Sequence, residues 1–163
     1  MRTVYIGADS AGFELKKTLK EHLAEAGYSV VDLGADSAAS SHYPVFAEAV
    51  ARHVAADSNS CGILICGTGI GMSMAANKVK GIRAALCGDT FSARMTRQHN
   101  DANVLCMGAR VIGPGLALDI VDLFLSTPFE AGGRHSLRVD MIAKVECGES
   151  LAPHEAASPV KPC

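Results

Sequence analysis

The residues best suited to chemistry in this sequence follow a short apolar run, residues 62–66, and read Cys66-Gly67-Thr68-Gly69-Ile70-Gly71. Three alternating glycines leave backbone N–H groups accessible where a predicted strand passes into a helix, and such a loop can bind anions. Cys66 stands immediately before this loop, near the positive end of the helix dipole, which favours the thiolate form. A thiolate can act as a nucleophile or as a base. The pattern therefore predicts a reactive Cys66 at an anion site, with Thr68 inside the loop.

Other interpretations of the glycine loop compete with an anion site, and the plainest of them is a structural turn. A dinucleotide-binding loop would read G-x-G-x-x-G, but Met72 stands where the third glycine is required. A P-loop needs Gly-Lys-Ser/Thr, which does not follow. A buried, inert thiol is the alternative for Cys66, and it is what we expect for the other cysteines of the apolar runs: Cys61, Cys87 and Cys106.

Polar residues also follow three other predicted strands. Asp9 and Ser10 come after the first strand, Asp89 after the fourth and Arg110 after the fifth. Ligands of open parallel sheets bind at the carboxyl ends of the strands, so these positions share the predicted site with the glycine loop.

Two further groups lie near predicted helix ends. His99 and Asn100 follow the fourth helix, although a lone histidine is more often structural than catalytic. Arg134 and Arg138 have i, i+4 spacing and so share one face of the last helix. Two guanidinium groups beside a helix start can clamp a phosphate, whereas surface salt bridging, for example with Glu130, is the ordinary alternative.

Short β-branched runs alternate with longer stretches of helical period and must position these residues. Strands are predicted over residues 3–6, 28–33, 62–66, 83–87 and 103–107, with helices between them and two helices after the last. This alternation implies βαβ units and a parallel sheet covered on both faces. The predicted fold class is α/β, a single-domain Rossmann-like three-layer sandwich with a five-stranded parallel sheet.

Composition limits the class of protein. The chain has 163 residues, 48 % of them hydrophobic, and a net charge of −2, which fits one domain with its own core. The near-neutral net charge does not indicate binding of nucleic acid, and no apolar stretch approaches the ~20 residues of a membrane span. The N-terminus lacks a signal-peptide h-region. Six cysteines without zinc-site spacing favour a reducing, cytoplasmic location.

The end of the chain differs in composition from the rest. Residues 147–163 contain three prolines with serine and alanine and show no periodicity. We expect one domain over residues 1–146 and a tail over 147–163 that lies against another surface, such as a second subunit.

The order of the motifs resembles ribose-5-phosphate isomerase type B, a family that includes the galactose-6-phosphate isomerase subunits. The resemblance covers roughly residues 1–146 and rests on Gly7-Ala8-Asp9-Ser10-Ala11-Gly12, Tyr43-Pro44, Leu64–Gly71, Ala75-Ala76-Asn77-Lys78, Gly81-Ile82-Arg83-Ala84, Arg97-Gln98-His99-Asn100-Asp101, Gly108–Gly113 and Gly133-Arg134-His135.

This resemblance implies an aldose–ketose isomerase that interconverts ribose 5-phosphate and ribulose 5-phosphate through an enediolate, without metal or other cofactor. Cys66 matches the proton-transfer base, and Thr68 with the loop N–H groups matches the anion hole. His99 matches the group that opens the furanose ring. The substrate-binding positions it implies are Asp9, Ser10, Tyr43, Gly67, Gly69, Ile70, Gly71, Asn100, Arg110, Arg134 and Arg138.

The family also implies a homodimer, or a dimer of dimers, whose sites are shared between subunits. His99, Asn100 and Arg110 would then reach the site from the neighbouring subunit. No nucleic acid or membrane partner is implied.

Two positions depart from the family pattern. Ser10 replaces a histidine that usually follows Asp9, and His42 replaces the aspartate that usually precedes Tyr43. The preferred substrate therefore stays open between ribose 5-phosphate and another aldose phosphate, such as a tetrose, allose or galactose phosphate. A non-catalytic sugar-phosphate-binding subunit is a further alternative, which the presence of Cys66, Thr68 and His99 disfavours.

Overall fold

A computed structural model describes residues 2–152 as a five-stranded parallel sheet with helices on both faces. The strands are β1 (Thr3–Ala8), β2 (Ser29–Asp32), β3 (Ser60–Cys66), β4 (Ala84–Leu86) and β5 (Val104–Gly108). The helices are α1 (Phe13–Glu25), α2 (Tyr43–Ala56), α3 (Ile70–Ala76), α4 (Thr90–Asn100), α5 (Pro114–Ser126) and α6 (Gly133–Glu146). The predicted fold class is confirmed.

The strand order is β2-β1-β3-β5-β4, which places β3 at the centre of the sheet. All seven residues of β3 are buried, because helices cover both of its faces. One core packs α1 and α5 against the sheet, and the other packs α2 and α3 against the opposite face. The chain order reverses between β1 and β3, so the crevice beyond their carboxyl ends is the expected ligand site of such a sheet.

Local sequence signals account for most element boundaries. Pro44 lies in the first turn of α2, Asp89 caps α4 by accepting a hydrogen bond from Ser92 N at 2.7 Å, and Gly27 follows α1 with φ of 82°. The predicted end of β1 at Ile6 is wrong. The strand continues through Gly7 and Ala8, because both residues pair with β3.

The end of the described chain follows α6 without further helix or strand over residues 147–152. The predicted contact between the tail and another surface concerns chiefly residues 153–163, which lie outside the described residues. None of the helices within residues 2–152 combines the length and the apolar character that crossing a bilayer requires.

A buried lysine ties α1 to β2, a feature that the helical pattern did not indicate. The side chain of Lys16 is 2 % exposed, and its Nζ lies 2.8 Å from Asp32 Oδ1 and 2.7 Å from the Ala35 carbonyl. Lys20 contacts the other carboxylate oxygen of Asp32 at 2.6 Å. Burial alone would raise the pKa of Asp32, but the hydrogen bonds from the two lysines outweigh it and hold that pKa below its ordinary 3.8.

Replacing Lys16 by methionine should lower the free energy of unfolding by about 3 kcal/mol, because Asp32 and the Ala35 carbonyl lose a buried partner. Urea denaturation at neutral pH measures this loss. Lys17→Met is the matched control, since Lys17 is 54 % exposed and should change stability by less than about 1 kcal/mol. An equal effect of the two substitutions would contradict a structural role for the buried pair.

The same pair gives a pH dependence with a defined sign. Because the folded-state pKa of Asp32 is lowered, its contribution is complete above pH 3.8 and is lost as the pH falls through the folded value. Asp32→Asn should remove this part of the acid destabilisation.

Candidate functional site

The thiol of Cys66 lies at the carboxyl end of the central strand, in the turn that leads to α3. Cys66 is 5 % exposed, and its Sγ accepts a hydrogen bond from the Gly69 N–H at 3.1 Å. Gly69 adopts a φ of 78°, and a Cβ there would lie 2.8 Å from the Met107 carbonyl carbon. Only glycine fits this conformation and this close approach, so the turn that directs an N–H at the sulfur depends on it.

The rest of the loop is open on the side away from the sheet. Thr68 and Ile70 are exposed, and the Thr68 hydroxyl accepts a hydrogen bond from the Ile70 N–H at 3.3 Å. The backbone of Thr68 rests on Gly108, where a Cβ would lie 2.7 Å from the Thr68 carbonyl. The loop therefore sits on the end of β5, with its threonine side chain available to a ligand.

Tyr43 closes one side of this loop from the start of α2. A Cβ on Gly71 would lie 2.6 Å from two ring carbons of Tyr43 and 3.0 Å from its hydroxyl, so the phenol packs directly on the glycine. Tyr43 remains partly exposed and presents its hydroxyl at the site. The sequence predicted Tyr43 as a substrate contact, and the structure brings it to the loop.

The turn after β1 provides the opposite wall. The Oδ1 atom of Asp9 accepts hydrogen bonds from the N–H groups of Ala11 at 2.9 Å and Gly12 at 3.1 Å, which fixes the carboxylate in place. Ser10 donates its N–H to the Ser41 hydroxyl at 3.1 Å. Ser41 is a neighbour of Ser10 that sequence reasoning missed, because the serine-rich loop before Tyr43 carries no periodic signal.

Arg110 differs from the expectation that the resemblance gave. It was expected from a neighbouring subunit, but a Cβ on Gly67 would lie 3.6 Å from Arg110 Cδ and 3.7 Å from its Nη1 in the same chain. The Arg110 N–H also donates to the Gly67 carbonyl at 3.0 Å. The strand order explains the difference, since β3 and β5 are neighbours and the loops that follow them must touch.

The other buried cysteines are poorly suited to ionise. Burial raises the pKa of Cys61 to about 11 and that of Cys87 to about 11, and it raises the pKa of Cys106 further still. None of the five described cysteines forms a disulfide. These observations agree with the prediction that Cys61, Cys87 and Cys106 are inert, whereas Cys66 lies at the open loop.

His99 and Asn100 lie at the opposite end of the strands from Cys66. They end α4, which runs back from the carboxyl end of β4 to the start of β5. The Asn100 carbonyl accepts a hydrogen bond from Arg83 Nε at 3.1 Å, and Arg83 immediately precedes β4. Both residues are therefore near the amino ends of the strands.

The length of β5 separates these residues from Cys66. Cys66 is paired in register with Gly108, the last residue of β5, and His99 precedes the first, Val104. A rise of about 3.3 Å per residue puts roughly 13 Å between the two ends of this strand alone. A single chain therefore does not bring His99 and Cys66 together.

The start of α6 joins His99 at the amino edge. The rings of His99 and His135 stack with centroids 4.2 Å apart and an angle of 3° between their planes. Arg134 Nε lies 3.4 Å from His135 Nε2, and Arg138 follows one turn later on the same helix. The sequence predicted the two arginines as a clamp, and the structure groups them with His99. The sequence also placed His135 in this basic cluster at the start of the last helix, but it did not indicate the contact between His135 and His99.

His99, Glu130 and His135 also have donor atoms within 4.8 Å of one another, the spacing of a possible metal site. The two rings are stacked and nearly parallel, so their in-plane lone pairs lie in two separate planes and do not converge on one ion. The arrangement does not suit a metal ligand set.

Comparisons with known proteins identify the family of the chain. A profile of the family described as Ribose/Galactose Isomerase matches residues 4–142. "Ribose-5-phosphate isomerase B" of Escherichia coli is 48 % identical over 146 residues, which are 90 % of this chain and 97 % of that protein. "D-erythrulose-4-phosphate isomerase" of Pectobacterium atrosepticum is 46 % identical over 134 residues, 82 % of this chain and 88 % of that one.

A solved structure is also similar along its whole length. The structure titled ribose-5-phosphate isomerase B from Mycoplasma genitalium with bound ribulose-5-phosphate is 46 % identical and gives a TM-score of 0.85. The match covers 89 % of this chain and 96 % of that chain.

Proposed function

Because the chain belongs to the ribose/galactose isomerase family, we propose that it interconverts ribose 5-phosphate and ribulose 5-phosphate, with Cys66 as the base. The observation that carries the proposal is the Cys66 thiol at the end of β3, held by the Gly69 N–H at 3.1 Å inside an open glycine loop. The enzyme is an aldose–ketose isomerase, like the relatives named for this reaction.

The proton transfer follows from the position of the thiol. In the open-chain aldose, the Cys66 thiolate removes the proton from C2, and negative charge develops on the C1 oxygen. Thr68 and the N–H groups of the loop stabilise this enediolate, because they are already oriented before the charge forms. Return of the proton to C1, with transfer of the hydroxyl proton from the C2 oxygen to the C1 oxygen, gives the ketose.

Ring opening needs a second acid–base group, because ribose 5-phosphate is mainly a closed furanose. We assign it to His99, which can take the proton of the anomeric hydroxyl and give one to the ring oxygen. Since His99 and Cys66 of one chain lie at opposite edges of the sheet, the site requires His99 of a neighbouring copy. The exposed apolar side chains of α6, among them Leu137, Ile142 and Val145, offer surface for such an association.

We assign phosphate binding to three arginines: Arg110 at the carboxyl ends of the strands, and Arg134 and Arg138 at the amino ends. Arg110 lies against Gly67 within the same chain, whereas Arg134 and Arg138 would come with His99 from the neighbouring subunit. Asp9 and Tyr43 remain to bind the sugar hydroxyls. We also place the reaction in the cytoplasm, where the free thiols that the described residues contain stay reduced.

A direct assay tests the activity. The purified chain, freed of metal by a chelator, should convert ribose 5-phosphate into a ketose detected by its absorbance with cysteine–carbazole. Ribose without the phosphate should react at least 100-fold less efficiently, because charge-assisted bonds to arginine are lost. Absence of ketose formation at micromolar enzyme would contradict the proposal.

A shared site predicts that two inactive variants restore each other. Random exchange of Cys66→Ala and His99→Asn subunits gives hybrids in half of the dimers, each with one intact site, so activity should recover to about a quarter of the wild type. The rate of ketose formation after subunit exchange measures this.

The matched control uses two lesions from the same edge. Cys66→Ala mixed with Arg110→Ala should recover nothing, because Arg110 lies against Gly67 in the same chain as Cys66, so every hybrid site keeps one lesion. Recovery in neither mixture, with exchange demonstrated by mass spectrometry, would contradict a site built from two subunits.

A second substrate is favoured by one particular residue, Ser10. Ser10 stands where the family usually has a histidine, and the relative from Pectobacterium atrosepticum is named for a four-carbon substrate. We propose that the shorter side chain weakens the preference for the pentose. Ser10→His should raise the ratio of kcat/KM for ribose 5-phosphate to that for erythrose 4-phosphate. The expected increase corresponds to about 1 to 3 kcal/mol, the value of one hydrogen bond to a charged group.

Steady-state kinetics on four-, five- and six-carbon aldose phosphates measure this ratio. Ser41→Ala is a suitable comparison, since it alters the same turn without adding an imidazole. An unchanged ratio in a folded Ser10→His variant would mean that the substitution is neutral for specificity.

A further inference from the structure

His135 forms a flat support for His99. The two rings are 4.2 Å apart and within 3° of parallel, and they connect the end of α4 with the start of α6. A histidine side chain that ends a helix would otherwise turn freely about its two side-chain bonds. The stack restricts the plane in which the nitrogens of His99 can approach a substrate.

The support is itself held in place. His135 is 8 % exposed, although it belongs to a helix whose other residues are half-buried or exposed. The preceding loop is tied to α4 by two hydrogen bonds: Glu130 N donates to the Gln98 carbonyl at 3.0 Å, and Gln98 Nε2 donates to Glu130 Oε1 at 2.9 Å. The neighbour of His99 in sequence thus fixes the segment that carries its stacking partner.

The surroundings of His135 disfavour its charged form. Burial, His99 and the guanidinium groups of Arg134 and Arg138 lower the pKa of His135, and they outweigh Glu130, whose Oε2 lies 3.8 Å from His135 Nε2. Two stacked imidazoles do not readily carry two charges, so a His135 that resists protonation suits the stack. His135 Nδ1 is buried and has no hydrogen-bond partner among the described residues, which agrees with packing as its main role.

We propose that His135 is a positioning residue, whose buried ring holds His99 in the plane required to open the sugar ring. This inference rests on the proposed function, because it assigns His135 to the step that His99 performs. It adds no proton transfer to the reaction, and His135 needs no contact with the substrate.

Two substitutions separate stacking from titration. His135→Gln removes the flat ring and should lower kcat for ribose 5-phosphate by about 10- to 100-fold, as a small misplacement of a catalytic group does. His135→Phe keeps a flat ring that cannot titrate and should retain most of kcat. KM should change little in either, because the phosphate arginines remain. If the His135→Phe variant is as slow as His135→Gln, and circular dichroism shows that it is folded, the proposal is overturned.

Deuterium exchange at C1 of ribulose 5-phosphate distinguishes this inference from the proposed function. Ribulose 5-phosphate is open-chain, so NMR-detected exchange in D₂O reports the Cys66 step alone. Exchange should stay within about threefold of wild type in His135→Gln. Absence of exchange in the wild-type protein would instead contradict the role of Cys66, whatever the results for the His135 variants.

A measurement on the wild-type protein covers the case in which neither variant folds. NMR spectra of the histidine ring protons should show His99 shifted by the ring current of its stacked neighbour, and His135 should gain its proton at a lower pH than an ordinary histidine. Absence of the ring-current shift would overturn the proposal.

Discussion

Cys66→Ala should lower kcat for ribose 5-phosphate by at least about 1,000-fold, because it removes the group that we propose as the base for proton transfer between C2 and C1. The arginines proposed to bind the phosphate are unchanged, so a non-reacting phosphate ligand should bind with nearly the same Kd. Stopped assays for ketose formation and calorimetric titration with the ligand measure the two quantities separately.

Cys61→Ala is the matched control for this substitution. Cys61 lies on the same strand, β3, and burial raises the pKa of its thiol to about 11, so it takes no part in proton transfer. The control should keep kcat within about twofold and lose stability, as expected for a small cavity in the core. If Cys66→Ala kept near-normal turnover, Cys66 would not be the base.

His99→Asn should lower the isomerisation of ribose 5-phosphate by about 100-fold, the usual effect of losing one acid–base group. The loss should be much smaller for erythrose 4-phosphate, whose phosphorylated O4 prevents furanose closure. Comparing kcat/KM for the two substrates in the same preparation measures the difference.

A surface histidine provides the control. His22 on α1 contacts Asp122 on α5, and His22→Asn should leave kcat/KM for both substrates unchanged. Equal losses for the cyclic and acyclic substrates in His99→Asn would reject a dedicated role in ring opening.

The strands and helices were predictable because each carries a local signal. The buried run of β3, Pro44 at the start of α2 and the capping Asp89 all follow from nearest-neighbour chemistry. The glycine loop was predictable because three alternating glycines after a buried strand are a local pattern; the packing of Gly69 on Met107 and of Gly71 on Tyr43 was not.

What the sequence did not predict depends on contacts between distant segments. Lys16 looks like an ordinary polar residue of an amphipathic helix, and only the approach of β2 makes it a buried ion-pair partner. The placement of Arg110 against Gly67 requires knowing that β5 is the neighbour of β3. The stack of His99 on His135 joins residues that are 36 positions apart and lie on different helices.

The proposed shared site implies that each subunit carries two half-sites at opposite ends of the strands, one built on Cys66 and the other on His99. Catalytic competence then arises only on encounter between copies, so the initial rate per milligram of protein should fall on dilution below the dissociation constant of the dimer. On this proposal, a newly synthesised chain is inert until it meets a partner. After gene duplication, two copies that lost opposite half-sites would form one working site per pair and would depend permanently on each other.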